Sequence, residues 1–481
     1  MGDCDSTSLE FIIVGASVSG LASAIALKES GHRVLVLEKE ARPGGAGSVP
    51  NGSGCAQLPP NAGKILSDWG LDDVLRANSS PVSGFTVYKY DPGTVSPDFI
   101  GTNLWDKELL SEARGGYVQL SHRELVRILY EFAIKPSKDD ISLVSVKFGA
   151  EVVNIDCEAC TVTTKNGEVH TADGIIGADG ANGIVRRALI EGDGSEPDSG
   201  TFTGISAYNT FIPRTRVLEN DLDWLFNFPN CTLWMGPNRA LRTFPLGKDS
   251  DLSLTVYTPD ISTQHIDWND EAEMKLTDVL GSCDKAIRKL AAVAEPATCI
   301  RIKEYHDLES WVSESGRVLV VGDAAHPSAP ASMHSYSCSL EDGVFLGKLF
   351  SHTQNTERVP EFFHAFEGQR QTRCTRIRQA EKEALRIILL TEGPDQAAVE
   401  ASMREQQGAG GNVLEGLQNV LDDFVMPTGF CLTPSRYGYN ARDDADEYWM
   451  SWGRYHDMKK DTTDVDKTPI QMTFSSLVEM E

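Results

Sequence analysis

Residues 11–40, FIIVGASVSGLASAIALKESGHRVLVLEKE, decide the fold. An apolar run is followed by a glycine turn, a stretch of small and aliphatic residues, a stop at Gly31 and a second apolar run ending at Glu38. This pattern predicts strand, helix and strand, a βαβ unit of about 30 residues. Gly15 permits the sharp turn, and Gly20 lets the helix close on the sheet, so that free N–H groups at the helix N-terminus face a pyrophosphate. Ser17 stands where a middle glycine is usual, making the pattern G-x-S-x-x-G. Glu38 lies 18 positions beyond Gly20, where an acidic side chain meets the hydroxyls of a ribose whose 2′-OH is free. The segment therefore predicts a dinucleotide site.

The chain has 481 residues and 52.6 kDa, enough for two or three domains. With 41% hydrophobic and 24% charged residues, it is neither collagenous nor wholly disordered. Its 44 Lys and Arg against 70 Asp and Glu give a net charge of -26, which argues against nucleic acid as a partner. The ten cysteines are widely spaced, unlike a secreted disulfide framework, so a reducing, cytoplasmic setting is expected. Cys157 and Cys160 form a lone CxxC without a second ligand pair; they read as ordinary thiols, and no metal is expected. The N-terminal MGDCDSTSLE has neither a basic nor an apolar region, so no secretion signal and no integral membrane span are expected. Gly2 and Ser6 match the myristoylation pattern only loosely, and residues 1–8 read as a tail.

Residues 41–63 are rich in Gly and Pro and too long for an ordinary connection, which favours a functional loop containing Gly54. Helical patterns follow at 61–77 and 121–135, the second with Arg123 in its first turn. Strands then alternate with turns, including Asn166-Gly167, and lead to Gly-Ala-Asp-Gly at 177–180. Residues 201–258 alternate β-rich runs with Pro and Gly breaks, predicting an inserted antiparallel sheet. After a helical pattern near 270–293, SGRVLVVGDAAHPSAP returns as an apolar strand ending in Gly322-Asp323, and helix-forming sequence runs on to about 392. The remainder predicts helical pieces, with a loosely ordered tail after Trp452.

Three separated motifs occur in order: G-A-S-V-S-G with Glu38, G-A-D-G at 177–180, and G-D-A-A-H-P-S-A-P at 322–330. Over roughly residues 10–390 the chain resembles the FAD-dependent aromatic hydroxylases, the single-component flavoprotein monooxygenases; Pro59, Pro60 and Asn61 also look like a loop of that family. The resemblance implies an α/β fold: a Rossmann-like FAD-binding domain with an inserted antiparallel β-sheet substrate domain and a helical C-terminal extension. The expected division is 9–195 and 300–392 for the FAD-binding domain, 196–299 for the substrate domain, and 393–481 for the extension. It also implies that Gly15, Ser17, Gly20, Glu38, Gly54, Arg123, Asp179, Gly322, Asp323, Pro330, Ser335 and Tyr336 bind FAD. Asp323 would accept a hydrogen bond from a ribityl hydroxyl, and Arg123 would bring positive charge to the phosphates. NADPH or NADH would act as transient reductant, and O2 would supply the oxygen placed on the substrate.

Two departures bear on the substrate. The loop after Pro330 reads ASMHSYSCSLEDG, with Ser335 and Tyr336 where relatives carry glycine and a small residue, so the flavin pocket must differ. Many relatives that hydroxylate phenols carry Tyr-Arg and Tyr-Pro in the substrate sheet; here Tyr208-Asn209 and Phe244-Pro245 align with them. Without that arginine a buried phenolate is disfavoured. Asn209, Trp234, Phe244 and His334 are the candidate pocket residues, and no catalytic residue is assigned. The expected function is hydroxylation or epoxidation of a small, mostly apolar, neutral organic molecule, with secondary metabolism as the setting. The competing reading is a non-oxygenating flavoprotein catalysing a redox-neutral isomerisation or cyclisation. Oligomeric state is left open.

Overall fold

The computed structural model describes residues 8–45, 54–94, 96–112, 116–136, 142–192, 194, 199–247, 251–259, 274–329, 332–415, 417 and 438–453. Pro330 and the segment after residue 453 lie outside the described residues.

Strand Glu10–Val14, helix Val18–Glu29 and strand Arg33–Glu38 form the βαβ unit. Its two strands are the middle of a five-stranded parallel sheet in the order 318–320, 174–177, 10–14, 33–38 and 144–148. The strands 10–14, 174–177 and 318–320 are apolar and buried nearly throughout because both faces are covered, whereas the edge strand 144–148 alternates buried with exposed residues. On one face the helix Val18–Glu29 packs against the helix Ser335–Phe350. The approach is close: a Cβ on Gly343 would lie 2.4 Å from the Ala22 carbonyl carbon, and one on Gly347 2.4 Å from the Ala26 Cβ. Small residues one turn apart on both helices make that contact possible.

A seven-stranded sheet forms the second layer, in the order 298–304, 201–212, 251–259, 239–246, 232–236, 84–89 and 99–104. It takes two strands from before residue 105, so residues 196–299 supply only part of it. Along these strands alternate residues face opposite sides. Ala207, Leu233, Ala240, Phe244 and Tyr257 face the first domain, whereas Tyr208, Trp234, Leu241, Leu254 and Val256 face a separate core closed by the helix Lys285–Val293. The Gly-rich stretch 41–63 contains a strand, Cys55–Leu58, which pairs with Val118–Ser121 in a small sheet between the two layers. No helix among the described residues is long and apolar enough to cross a membrane.

A buried charge network joins the last motif to the helices. Asp342 accepts hydrogen bonds from the Gly322 N–H at 2.9 Å, from Arg370 Nε at 2.9 Å, and pairs with His326 Nε2 at 2.7 Å. Its neighbour Glu341 meets Arg370, Arg373 and the Asn61 amide at 2.9, 2.7 and 2.6 Å, which gives the Pro-Pro-Asn loop its anchor. His326, Asp342 and Cys374 are close enough for a metal, but both Asp342 oxygens are already committed to cationic and N–H partners. Burial by itself would make His326 more acidic; attraction to Asp342 and their hydrogen bond overcome this and raise its pKa to about 9.

Asp342→Asn should cost about 3–5 kcal/mol, since it leaves the buried Arg370 with Glu341 as its remaining carboxylate partner and removes the charge that keeps His326 protonated; urea unfolding measures this. His326 contributes stability fully present below its ordinary pKa of 6.5 and lost as pH rises through about 9. The thermal midpoint should therefore fall across that window, and His326→Gln should flatten the fall.

Candidate functional site

The three motifs meet because their strands are neighbours. Val14 is in register with Gly177, and Gly177 with Val320, so the turns at 15–17, 178–180 and 321–323 leave the same carboxyl edge of the sheet side by side. Ligands of open parallel sheets bind at that edge. Gly15 has φ +102°, and a Cβ there would lie 2.6 Å from the Ala178 carbonyl oxygen; one on Gly20 would lie 2.1 Å from the Gly15 oxygen. Ser17 caps the helix, its hydroxyl accepting from the Gly20 N–H at 3.2 Å, so the position of the middle glycine is used to fix the helix start.

Glu38 braces this turn. Its carboxylate accepts from the Ala16 N–H at 2.6 Å and the Glu40 N–H at 2.8 Å, tying the end of the second strand to the glycine turn. Asp179 sits opposite, partly exposed. Burial raises its pKa to about 6, and its Oδ1 has no hydrogen-bond partner among the described residues. An orphaned acceptor beside a glycine cradle fits a ligand that brings its own hydroxyl or N–H donor. Asp323 is solvent-accessible yet walled by protein; that partial desolvation raises its carboxyl above the ordinary range, against the nearby His326 cation.

Arg123 lies in the first turn of the helix His122–Ala133 and packs on the turn at 41–45, where a Cβ on Gly44 would be 3.0 Å from Arg123 Cγ. Burial, reinforced by the Arg42 charge, lowers the Arg123 pKa, so two guanidinium groups share the neighbourhood that phosphates would neutralise. Gly54 adopts φ +81°, and its carbonyl accepts from the His122 N–H at 3.1 Å. Ser335 and Tyr336 open the helix Ser335–Phe350, with His334 as its N-cap. The Tyr336 hydroxyl lies 3.2 Å from His122 Nδ1, and burial, with Arg123 assisting, lowers the His122 pKa to about 4, leaving it neutral.

Between this region and the seven-stranded sheet lies a cavity whose roughly 380 Å3 of non-atom space includes a part open to solvent. Phe85, Trp105, Tyr117 and Phe244 form its aromatic walls; Gln57, Gln119 and Arg242 supply its principal polar groups, and Met333 borders it two residues before Ser335. Tyr117 donates to Gln57 Oε1 at 3.0 Å, Arg242 reaches the same oxygen at 3.4 Å, and the Arg242 guanidinium sits 4.9 Å from the Phe244 ring centroid.

Of the pocket candidates, Phe244 lines the cavity. Asn209 is on the same face of the sheet, but its Oδ1 accepts from Thr255 at 2.8 Å and it does not line the space. Trp234 points to the opposite core, stacked on Tyr88. His334 is buried and outside the cavity lining, with Nε2 3.9 Å from Glu381. Arg242 and Arg42 escaped the sequence reading. Arg242 had a signal: it sits at period two between Ala240 and Phe244, a charge on the apolar face of a strand.

Fold and site define a flavoprotein of the dinucleotide-binding α/β class with a separate substrate layer. A family model described as the FAD binding domain matches residues 8–381, and the chain belongs to that family. It is 26% identical over 409 residues to the FAD-dependent monooxygenase atnJ of Arthrinium sp, covering 84% of this chain and 90% of that protein. It is 27% identical over 390 residues to hispidin-3-hydroxylase of Neonothopanus nambi, covering 76% and 86%. Among solved structures it shares the fold of CtdE, determined with FAD and a substrate, at TM-score 0.73 and 17% identity, covering 94% of this chain and 100% of that one. A salicylate hydroxylase substrate complex matches at TM-score 0.65 and 17% identity, over 89% and 98%. The chain is an FAD-dependent monooxygenase acting on a small organic molecule with dioxygen.

Glu38→Ala should lower flavin retention and destabilise the apoprotein by about 1.5–3 kcal/mol, the range for hydrogen bonds to a charged group. The flavin-to-protein absorbance ratio and denaturant unfolding of the apoprotein report the two effects separately.

Proposed function

We propose that this monooxygenase takes electrons from NADPH or NADH and hydroxylates or epoxidises a small, conjugated, mostly apolar molecule in the cavity between the layers. The supporting observation is the shared wall. Gln57 follows Gly54 by three residues, Gln119 precedes Arg123 by four, and Met333 precedes Ser335 by two, so cavity and cofactor groups lie on the same short segments. In this reading the turns at Gly15, Ser17 and Gly20, with Glu38, Asp179, Arg42 and Arg123, hold the phosphates and adenosine of FAD. Gly54, Gly322, Asp323, Pro330, Ser335 and Tyr336 attend its ribityl and ring end. When bound, FAD supplies hydride acceptance and oxygen activation, chemistry that no side chain provides. The protein's part is to position the substrate and exclude water, which an aromatic-walled cavity does.

The substrate need not be neutral. That expectation rested on Asn209, which does not line the cavity, whereas Arg242 does, and among the described residues no carboxylate lines it. A guanidinium there favours a substrate oxygen that carries or develops negative charge. The parallel sheet with its helices would then serve the cofactor, and the seven-stranded sheet the substrate.

Anaerobic mixing with NADPH or NADH should bleach the bound flavin, and labelled dioxygen should deliver one atom to the product; a product of unchanged mass sinks the proposal. Arg242→Met should weaken substrate binding by about 2 kcal/mol with flavin occupancy unchanged, as read by substrate titration of the holoenzyme.

A further inference from the structure

Two buried polar groups in the cavity have unmet hydrogen-bonding capacity. Trp105 is 6% exposed and Gln119 1% exposed. Trp105 Nε1 and Gln119 Oε1 have no partner among the described residues. Burying either a donor or an acceptor in this way is costly unless a ligand completes it.

The two belong to one compact wall. The Trp105 ring stacks on Tyr117 with centroids 5.5 Å apart and planes at 23°. Tyr117 and Gln119 are two residues apart on an extended segment, which sends their side chains to the same side. Gln119 is also directly opposite Gln57 in the small sheet, and Gln57 already takes the Tyr117 hydroxyl. The neighbouring polar groups are thus joined to one another, while an indole N–H donor and a carboxamide acceptor are left for the occupant.

We infer that the cavity recognises a planar conjugated molecule carrying a carbonyl oxygen and an N–H on the same ring system, as in a fused-ring lactam. The carbonyl takes the Trp105 N–H, and the ligand N–H goes to Gln119 Oε1. The aromatic walls of Phe85, Tyr117 and Phe244 accept the ring faces. This inference rests on the cavity being the substrate site proposed above, and it narrows the substrate class beyond a mostly apolar molecule.

The test uses the oxidised holoenzyme without reductant, titrated with four probes while the visible flavin spectrum or tryptophan fluorescence is followed. Carbostyril carries both groups, N-methylcarbostyril only the acceptor, indole only the donor, and naphthalene neither. Carbostyril should bind roughly 10-fold or more tightly than each single-group probe, the scale of one buried hydrogen bond left unmade. Trp105→Phe should remove its advantage over indole, and Gln119→Leu its advantage over N-methylcarbostyril. Equal affinities across the wild-type series, or a preference for only one group, overturn the inference without need of any variant. Flavin reduction and oxygen uptake are measured separately, so failure of the lactam preference and failure of the monooxygenase reading are distinguishable.

Discussion

Everything at the cofactor edge depends on one buried carboxylate. Asp342 holds the Gly322 N–H, His326 and Arg370 at once, and so fixes the turn after strand 318–320 to the two long helices behind it. A lone carboxylate in such a place would cost far more than it returns. It is tolerable because two cations and a backbone donor satisfy it, and because Glu341 balances the second arginine. The resulting network is a scaffold rather than a reactive group. It explains why Asp323, one residue along, is presented outward with its carboxylate accessible.

The rigid frame and the ligand surface divide the work between sheet and helices. Parallel strands bring residues from near 15, 178 and 322 to one edge, and the close contact at Gly343 and Gly347 sets the depth at which the last helix sits. The seven-stranded sheet, antiparallel except where 232–236 runs parallel to 84–89, contributes a broad apolar face. The short pair 55–58 and 118–121 joins the two, carrying groups toward both.

Much of this was legible in the sequence. The βαβ unit, the Asn166-Gly167 hairpin and the strand ending at Gly322 are local patterns, and local patterns report on local structure. The strand 55–58 was hidden in a Gly- and Pro-rich segment, because it is held by a partner some 60 residues away rather than by its own propensity. The two strands at 84–104 were likewise assigned to the wrong layer, since pairing across long sequence separation leaves no trace in periodicity. Asn209 and Trp234 show the same limit at the level of side chains. Both lie in the expected sheet, but which neighbour each faces depends on register and on what covers each side, and an alignment of two-residue motifs does not contain that information.

The small sheet between the layers has a consequence for how such an enzyme diversifies. Gln57 and Gln119 lie a few residues from Gly54 and Arg123, the groups proposed above to hold the cofactor, so in that reading both ends of the site share these strands. Arg242 and Phe244 reach the same space from the opposite bank, the seven-stranded sheet, on the strand Arg239–Leu246. New specificities can arise by altering that bank alone, leaving the catalytic half untouched while the repertoire of acceptable molecules drifts.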